Sequence, residues 1–436
     1  MGLSELARFG FADLSSTTAK LDQLVKLVGD SGRSALADLA VCADPDQALN
    51  ALLFLAESNS AKVKAILKKS DSSRRLCLLL GASSALGDFL KRRPECLNYF
   101  DKAIAALPTQ ALATEFFRSR VVPLLVSGFN SPDVWSALRI AYRESLLQIA
   151  IYDLSMVDVK AGLPSVAASL ADIAGAALEV AIEIARVELS SNADHGVFTA
   201  EEIQSTEFAV IAMGKCGARE LNYISDVDVI YVAGSKSAEL ANERAVEIAT
   251  KLATRMMRAI DATAAEPMLW QVDPNLRPEG KSGALVRTLE SHLAYYERWA
   301  QSWEFQALLK ARPLAGSSEL GEAYVNALAP KVWSSASREN FVESVQKMRE
   351  RVTDYIPASE VDAQIKLGPG GLRDVEFTVQ LLQLVHGRTD PTVRHRDTIS
   401  AINALATAGY VGRSEAAAFA ESYRFLRLLE HRIQLS

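Results

Sequence analysis

The sequence predicts an α+β protein that is mostly α-helical, with a small α/β core between two helical regions. Residues 6–189 place apolar side chains at three- and four-residue spacing with few β-branched runs, which is typical of amphipathic helices. Short β-branched segments first appear at residues 208–213 and 226–232, and helical periodicity resumes after Thr288. The expected regions are an N-terminal helical region over 1–206, an α/β core over 207–289 and a C-terminal helical domain over 290–436.

Length and charge restrict the function classes. The chain has 436 residues, of which 49% are hydrophobic and 23% charged, so it is long enough for about three folded domains and is not disordered. Its 53 acidic and 47 basic side chains give a formal charge of -6. Because such a chain has no overall cationic field to attract a phosphate backbone, we expect no nucleic-acid partner.

The sequence also argues against a membrane or secreted protein. Its most apolar stretch, residues 163–187, is interrupted by Asp172, Glu179 and Glu183, which suits an amphipathic soluble helix better than a membrane span. The N-terminus lacks a basic segment followed by an apolar one. The four cysteines are widely spaced, without a C-x-x-C pair, which argues against a zinc site and a disulfide framework. A cytoplasmic protein without membrane contact is expected.

Two strands and the loop between them form the first part of the predicted core. Residues 208–213 are an apolar run that ends at Gly214, and residues 226–232 alternate carboxylate and β-branched side chains. A glycine-containing loop over 214–225 joins them.

The pattern after these strands predicts a helix, a third strand and further helices. The helical periodicity covers residues 238–260, and the strand candidate covers 268–273 before Pro274. From Thr288 helices are expected to the end of the chain, interrupted by a glycine turn at 368–371.

The Asp-x-Asp sequence at the second strand carries the chemical signal. Residues two apart in a strand share a face, so Asp226 and Asp228 would lie side by side while Val227 and Val229 enter the core. Two neighbouring carboxylates repel unless a cation neutralises them, and oxygen ligands favour Mg²⁺. Asp273 could add a third carboxylate for a two-metal site. An isolated Asp-x-Asp is otherwise common on the solvated edge of a strand.

The order of these features resembles the nucleotidyltransferase superfamily that includes polymerase β. In that superfamily a glycine loop after the first strand binds nucleotide phosphates, and three carboxylates hold two magnesium ions. Gly214 and Gly217 would let the backbone approach the phosphates. The loop is not a Walker A motif, because no Ser or Thr follows Lys215.

Four ordered blocks carry a narrower resemblance. They read GKCGARELNYISDVDVI at 214–230, DPNLRPEGKSGALV at 273–286, WEFQALLKAR at 303–312 and IKLGPGGLRDVEF at 365–377. Together they are similar to the family of glutamine synthetase adenylyltransferase/adenylyl-removing enzymes. Cys216 and Ala218 stand where that family favours Leu and Gly.

The resemblance implies a pair of nucleotidyltransferase domains in a chain about twice as long. The first domain removes AMP from a tyrosine of glutamine synthetase by phosphorolysis and releases ADP, and the second adds AMP from ATP. This chain begins at Met1, contains one such Asp-x-Asp set and ends at Ser436 within a helical pattern, so we expect it to be the deadenylylating half. The alternatives are adenylylation, both directions, or a regulatory module that binds nucleotide without chemistry.

The resemblance also implies roles for individual residues. Asp226, Asp228 and Asp273 would be the catalytic metal ligands. The implied nucleotide- and phosphate-binding residues are Gly214, Lys215, Gly217, Arg219, Ser225, Arg277 and Lys281. Arg219, Arg277 and Lys281 could equally form ordinary ion pairs, and Ser225 could simply cap the strand.

Two later blocks leave their roles open. Trp303, Gln306 and Lys310 would share a helix face that either packs on the sheet or contacts nucleotide. The turn at 368–371, with Arg373, Asp374 and Glu376, would either face phosphate or cap the following helix. The implied partners are glutamine synthetase, ATP, ADP, phosphate and the PII signalling protein.

Overall fold

The protein is α+β and mostly helical, as the sequence predicts. A computed structural model describes residues 3–127, 130–191, 197–338, 341, 343 and 364–436. In this part of the chain, helices enclose a small five-stranded mixed sheet.

The chain forms two compact units. The first consists of Met1–Pro108, Arg143–Val166 and His431–Ser436, and the second of Thr109–Tyr142 and Ala167–Glu430. The three-region division at residues 206 and 289 stays a prediction.

The N-terminal residues of the first unit form seven helices with buried apolar faces. One of them begins at Pro45, because the carboxylate of the preceding Asp44 accepts a hydrogen bond from the Gln47 amide at 2.8 Å and proline is favoured in the first turn. Ser83 caps another helix through the Leu86 amide at 3.3 Å. The helices are α1 (Leu3–Arg8), α2 (Leu14–Val28), α3 (Asp30–Ser34), α4 (Leu36–Leu39), α5 (Pro45–Leu67), α6 (Ser70–Ala82) and α7 (Ser84–Arg92). A 3₁₀ helix, Pro94–Phe100, follows.

The remaining elements place the sheet between helices. They are α8 (Gln110–Ser127), α9 (Ser131–Leu154), α10 (Val159–Ser191), α11 (Ala200–Ser205), β1 (Thr206–Ala212), α12 (Gly214–Gly217), β2 (Val227–Ser235), α13 (Asn242–Asp261), β3 (Val272–Asp273), β4 (Val286–Thr288), α14 (Leu289–Arg298), α15 (Ser302–Leu308), β5 (Arg312–Gly316), α16 (Ser318–Ser334), α17 (Leu372–His386), α18 (Thr398–Thr407) and α19 (Arg413–Leu435). Short 3₁₀ helices cover Gly280–Ser282, Ser335–Ser337 and Pro391–Val393.

Helix α10 is the one described helix that is long and apolar enough to cross a membrane. Its most apolar stretch is 83% buried inside the protein, as in the core helix of a soluble protein.

The sheet has the strand order β3-β2-β1-β5, and β4 also pairs with β2. Strand β1 runs antiparallel to β2 and β5, while β3 and β4 run parallel to β2. Ile211 of β1 and Ile230 of β2 belong to a buried cluster with Phe305 and Tyr324 of the following helices. This cluster fixes the end of β1 and the start of β2, where the predicted site lies.

The first two strands and the helix after them are confirmed, but other elements differ from the prediction. The strand expected over 268–273 is reduced to Val272–Asp273, because these two residues alone pair with β2. The expectation of helices alone after Thr288 is wrong at β5, which sequence reasoning missed. Pro313 breaks the strand signal there, and the pairing register shifts between Val210 and Ile211.

Candidate functional site

The two aspartates of the Asp-x-Asp sequence lie at the start of β2. Val227 and Val229 are fully buried, whereas Asp226 is exposed and Asp228 is half-buried, which confirms the predicted alternation. Parallel pairing with β3 places Asp228 directly opposite Asp273. The strand register therefore brings the third predicted carboxylate to the first two.

The electrostatics of Asp228 show that the three carboxylates lie close together. Burial raises the pKa of Asp228 to about 6, with further increases from the charges of Asp273 and Asp226. Lys366 and Arg373 act in the opposite direction and lower it. We call Asp226, Asp228 and Asp273 the aspartate cluster.

Gly214 lies against the aspartate cluster. Its φ of 50° is in the left-handed region, and a Cβ at this position would overlap the Asp228 carboxylate. The Met213 amide donates to the Asp228 carbonyl oxygen at 2.9 Å, which holds the chain in this close approach. Gly217 serves a different contact, because a Cβ there would overlap the carbonyl oxygens of Lys310 and Ala212.

Two predicted phosphate ligands of the glycine loop are paired with carboxylates. The Lys215 Nζ lies 2.7 Å from Glu430, and burial followed by repulsion from Arg427 lowers the pKa of Lys215 to about 8. Arg219 lies 2.7 Å from Asp172. Both side chains thus have carboxylate partners outside the aspartate cluster, and their phosphate-binding role stays a prediction.

The loop after β3 is held by its own side chains. Arg277 donates to the carbonyl oxygens of Pro274 at 2.8 Å and Gly283 at 3.2 Å, and Asp273 accepts from the Asn275 amide at 2.7 Å. Lys281 is exposed on this loop. Arg277 thus orders the loop that carries Asp273, and phosphate contacts by Arg277 and Lys281 stay predictions.

Ser225 precedes the Asp-x-Asp sequence and is half-buried. Its hydroxyl donates to the Asp226 carbonyl oxygen at 2.9 Å. This contact stiffens the entry to β2, which matches the local role considered for it.

Two cations act on Asp228, of which sequence reasoning singled out Arg373 but missed Lys366. Lys366 precedes the glycine turn at 368–371 and Arg373 lies at the start of α17, about 140 residues along the chain from Asp228. The Arg373 amide donates to the Lys366 carbonyl oxygen at 3.0 Å, and the Gly370 amide donates to Asp374 at 2.8 Å. The sequence block at 365–377 is the feature that pointed to this segment. Its Asp374 connects the turn to the helix, and the charges of Lys366 and Arg373 act on Asp228.

A second group of charges lies buried near the same loop. Lys310 contacts Glu220 at 3.3 Å and Glu376 at 3.9 Å, and Arg427 contacts Glu430 at 3.1 Å. Arg427 also donates to the Glu220 carbonyl oxygen at 2.6 Å. We define the buried charge network as Lys215, Glu220, Lys310, Glu376, Arg427 and Glu430.

The block at 303–312 takes part in packing. Phe305 enters the core against the sheet, and Gln306 donates to Gln380 of α17 at 2.8 Å. Helix α15 ends at Leu308, so Lys310 lies beyond the helix on which the sequence placed it. The block connects the sheet to α17, in agreement with the packing alternative.

The donor chemistry of the aspartate cluster fits a divalent cation. Its three side chains offer only carboxylate oxygens, and their mutual repulsion contributes to the raised pKa of Asp228. Across the part of the chain that the structure describes, no three His, Cys, Asp or Glu side chains are arranged as a closed ligand set for a metal ion. The metal-binding role of Asp226, Asp228 and Asp273 therefore stays a prediction.

Comparisons with known proteins identify the family of the chain. The family model described as glutamate-ammonia ligase adenylyltransferase matches residues 73–327, which is more than half of the chain and includes the aspartate cluster. The model described as GlnD PII-uridylyltransferase matches residues 339–436.

Curated relatives carry the name bifunctional glutamine synthetase adenylyltransferase/adenylyl-removing enzyme. The Leifsonia xyli protein is 55% identical over 100% of this chain and 43% of its own length. The Streptomyces avermitilis protein is 47% identical over 99% and 41%, and the Mycobacterium avium protein 47% over 90% and 37%. The chain thus spans about two fifths of the length of the curated relatives that it matches. The chain belongs to the glutamate-ammonia ligase adenylyltransferase family.

Proposed function

We propose that the aspartate cluster is a Mg²⁺-dependent nucleotidyltransferase site on a polymerase-β-like core. The observation that carries the proposal is the parallel register of β2 and β3, which places Asp228 opposite Asp273 and next to Asp226. Gly214 supports it, because the backbone at this position approaches the Asp228 carboxylate as closely as a residue without a side chain allows.

The proposed reaction is phosphorolysis of the adenylyl-tyrosine of glutamine synthetase. An oxygen of inorganic phosphate forms a bond to the adenylyl phosphorus, and the bond from phosphorus to the tyrosyl oxygen breaks. The tyrosyl oxygen leaves with the electron pair and takes up a proton, and the products are ADP and unmodified glutamine synthetase. The direction of transfer rests on the family resemblance, and the printed names of the relatives include both directions.

Charge determines what the side chains would do in this reaction. Two anions must approach each other, so their repulsion has to be offset. When bound, Mg²⁺ would neutralise phosphate charge and polarise the reacting phosphorus. Asp226 and Asp228 would hold the ions, and Asp273 would complete the ligand set. Lys366 and Arg373 would add positive charge near Asp228.

Glutamine synthetase, ATP, ADP and phosphate are the proposed reaction partners, and PII is a proposed regulator. The reaction would take place in the cytoplasm. The network residues Lys215 and Glu430 would keep the glycine loop in register while these partners bind.

A direct assay tests the proposal. The purified protein is mixed with adenylylated glutamine synthetase, Mg²⁺ and phosphate, and ADP is measured over time. We expect ADP release that stops on chelation of Mg²⁺ and that falls on the order of 100-fold or more in Asp228→Asn, since the substitution removes a charged ligand. Asp71→Asn, an exposed aspartate of α6, serves as the matched control and should leave the rate unchanged.

The alternatives give distinct results. Transfer of AMP from ATP to unmodified glutamine synthetase, without ADP release from the adenylylated form, would assign adenylylation to this chain. Nucleotide binding without turnover in either direction would assign a regulatory module. Full activity in Asp228→Asn would show that the metal ligands are wrong.

A further inference from the structure

A cavity of about 480 Å³ lies beside the glycine loop but apart from the aspartate cluster. Its wall is formed by the end of that loop, the chain around Leu308–Arg312, helix α16 and the segment before α18. None of the three aspartates lines it. Its volume is in the range of ordinary small-molecule sites.

Four arginines line this cavity, and in the described part of the chain three of them form no salt bridge with a carboxylate. Arg219 is paired with Asp172. Arg312 donates to the carbonyl oxygens of Cys216 at 3.1 Å and Gly217 at 3.3 Å, so its partners are backbone groups.

The other two arginines show the same pattern. Arg396 donates from Nε to the Ala311 carbonyl oxygen at 2.8 Å. Arg394 donates to the Gly387 carbonyl oxygen at 2.8 Å and lies over the Trp333 ring at 4.9 Å. Each guanidinium carries five N–H donors, so most of these donors are still available to a ligand. The backbone contacts orient the guanidinium groups, and the charges of Asp172 and Asp390 act on Arg312 and Arg394 without a salt bridge.

Positive charge is concentrated in the cavity. Burial lowers the pKa of Arg312, the charge of Asp172 raises it, and repulsion from Arg219 and Arg396 lowers it again. Burial also lowers the pKa of Arg396. Arginine stays charged in proteins, so this repulsion persists until an anion relieves it. Asp397 also lines the cavity, but its carboxylate accepts from the Ser400 amide at 2.8 Å and caps α18.

Much of the remaining lining of the cavity is apolar. Leu308, Leu328, Val332 and Trp333 contribute hydrocarbon and aromatic surface to its lining. A ligand that contacts both the arginines and the apolar residues must carry an oxyanion on a small apolar skeleton. A bare inorganic ion would leave the apolar residues without contacts.

We propose that Arg312, Arg394 and Arg396 form a binding site for a small organic anion, separate from the aspartate cluster. The shared chemistry of the ligand is a carboxylate or phosphate group on a short carbon chain. Its oxygens would receive paired N–H bonds from the guanidinium groups, and its chain would lie against the apolar residues.

Calorimetric titration of the whole protein without Mg²⁺ tests the site. The probes are glutarate, its uncharged analogue glutaramide, butyl phosphate and inorganic phosphate. We expect saturable binding of glutarate or butyl phosphate that is at least about 10-fold tighter than that of glutaramide and of inorganic phosphate. Arg396→Gln should weaken this binding by about 10-fold, whereas Arg388→Gln, an exposed arginine that does not line the cavity, should leave it unchanged.

Glutarate and butyl phosphate distinguish between the two classes of organic anion. Tighter binding of glutarate identifies a carboxylate ligand, and tighter binding of butyl phosphate identifies a phosphorylated one. The proposal is overturned if neither probe binds, if glutaramide binds equally well, or if Arg396→Gln and the double variant with Arg394→Gln bind like the wild type. This test needs no enzymatic turnover, so its result is independent of the proposed reaction.

Discussion

Two groups of carboxylates lie close to the same glycine loop but differ in how their charge is compensated. In the buried charge network, three glutamates are matched by two lysines and one arginine. Burial alone would raise the pKa of Glu376, but Lys310, Lys215 and Arg427 lower it to about 2. In the aspartate cluster, burial and neighbouring aspartates raise the pKa of Asp228 to about 6.

The difference separates a structural role from a binding role. Charges that are matched within the protein hold the chain together and need nothing more. Charges of one sign that are gathered and only partly compensated favour an added ion of the opposite sign. The pKa directions of Glu376 and Asp228 therefore distinguish the scaffold from the candidate site.

The largest expected effect comes from removing the central cation of the network. Arg427→Met leaves Glu220, Glu376 and Glu430 without their shared partner, and we expect a loss of about 3–5 kcal/mol in the free energy of unfolding. Urea denaturation followed by tryptophan fluorescence measures it, because all five tryptophans lie in the second unit. Arg424→Met on the same helix is the control. Equal stability of the two variants would contradict the structural role of the network.

A smaller loss is expected from Glu376→Gln, about 1–3 kcal/mol at pH 7, because its buried partners lose a charged acceptor. The folded-state pKa of this group is lowered, so its stabilisation is present above about pH 4.5 and is lost as pH falls towards 2. The stability gap between variant and wild type should therefore close over that range. A gap that stays constant with pH would contradict the assignment, and Glu290→Gln on the exposed face of α14 should show no gap.

The opposite sign is expected for Asp228→Asn without divalent ions. Because the folded-state pKa of Asp228 is raised, this carboxyl contributes most to stability below about pH 3.8, and its contribution is lost as pH rises through about 6. The variant should be more stable above pH 6 by about 1–2 kcal/mol. Mg²⁺ should raise the melting temperature of the wild type but not that of Asp228→Asn. Sodium chloride at the same ionic strength is the control. A Mg²⁺ response that is unchanged in the variant would refute the metal assignment.

The smallest expected effect isolates the contact between Gly214 and Asp228. Gly214→Ala and Gly409→Ala both place alanine in the left-handed region, at φ values of 50° and 81°, and each should cost about 1 kcal/mol. A Cβ at Gly409 meets nothing, whereas one at Gly214 overlaps the Asp228 carboxylate. Gly214→Ala alone should therefore also weaken the stabilisation by Mg²⁺. Equal responses to Mg²⁺ would show that the contact does not matter for the site.

The sequence predicted the aspartate cluster because its signals are local. The alternation from Asp226 to Val229 fixes which side chains share a face, and the run before Gly214 fixes the neighbouring strand. The sequence did not predict the partners of Lys215 and Arg219. Glu430 follows Lys215 by 215 residues, and a salt bridge at that separation leaves no periodic pattern in either segment. Strand β5 was missed because Pro313 removes a backbone donor and lowers its strand signal.

The salt bridge between Lys215 and Glu430 has a consequence for dissecting the longer relatives into parts. Lys215 directly follows Gly214, and its partner lies in the last third of α19. A fragment cut after the sheet and α16 would keep all three residues of the aspartate cluster, yet it would leave Lys215 without Glu430 and Glu220 without Arg427. The shortest fragment that preserves the glycine loop therefore extends through Glu430, and activity mapped with shorter fragments would report on a loosened loop rather than on the chemistry of the aspartates.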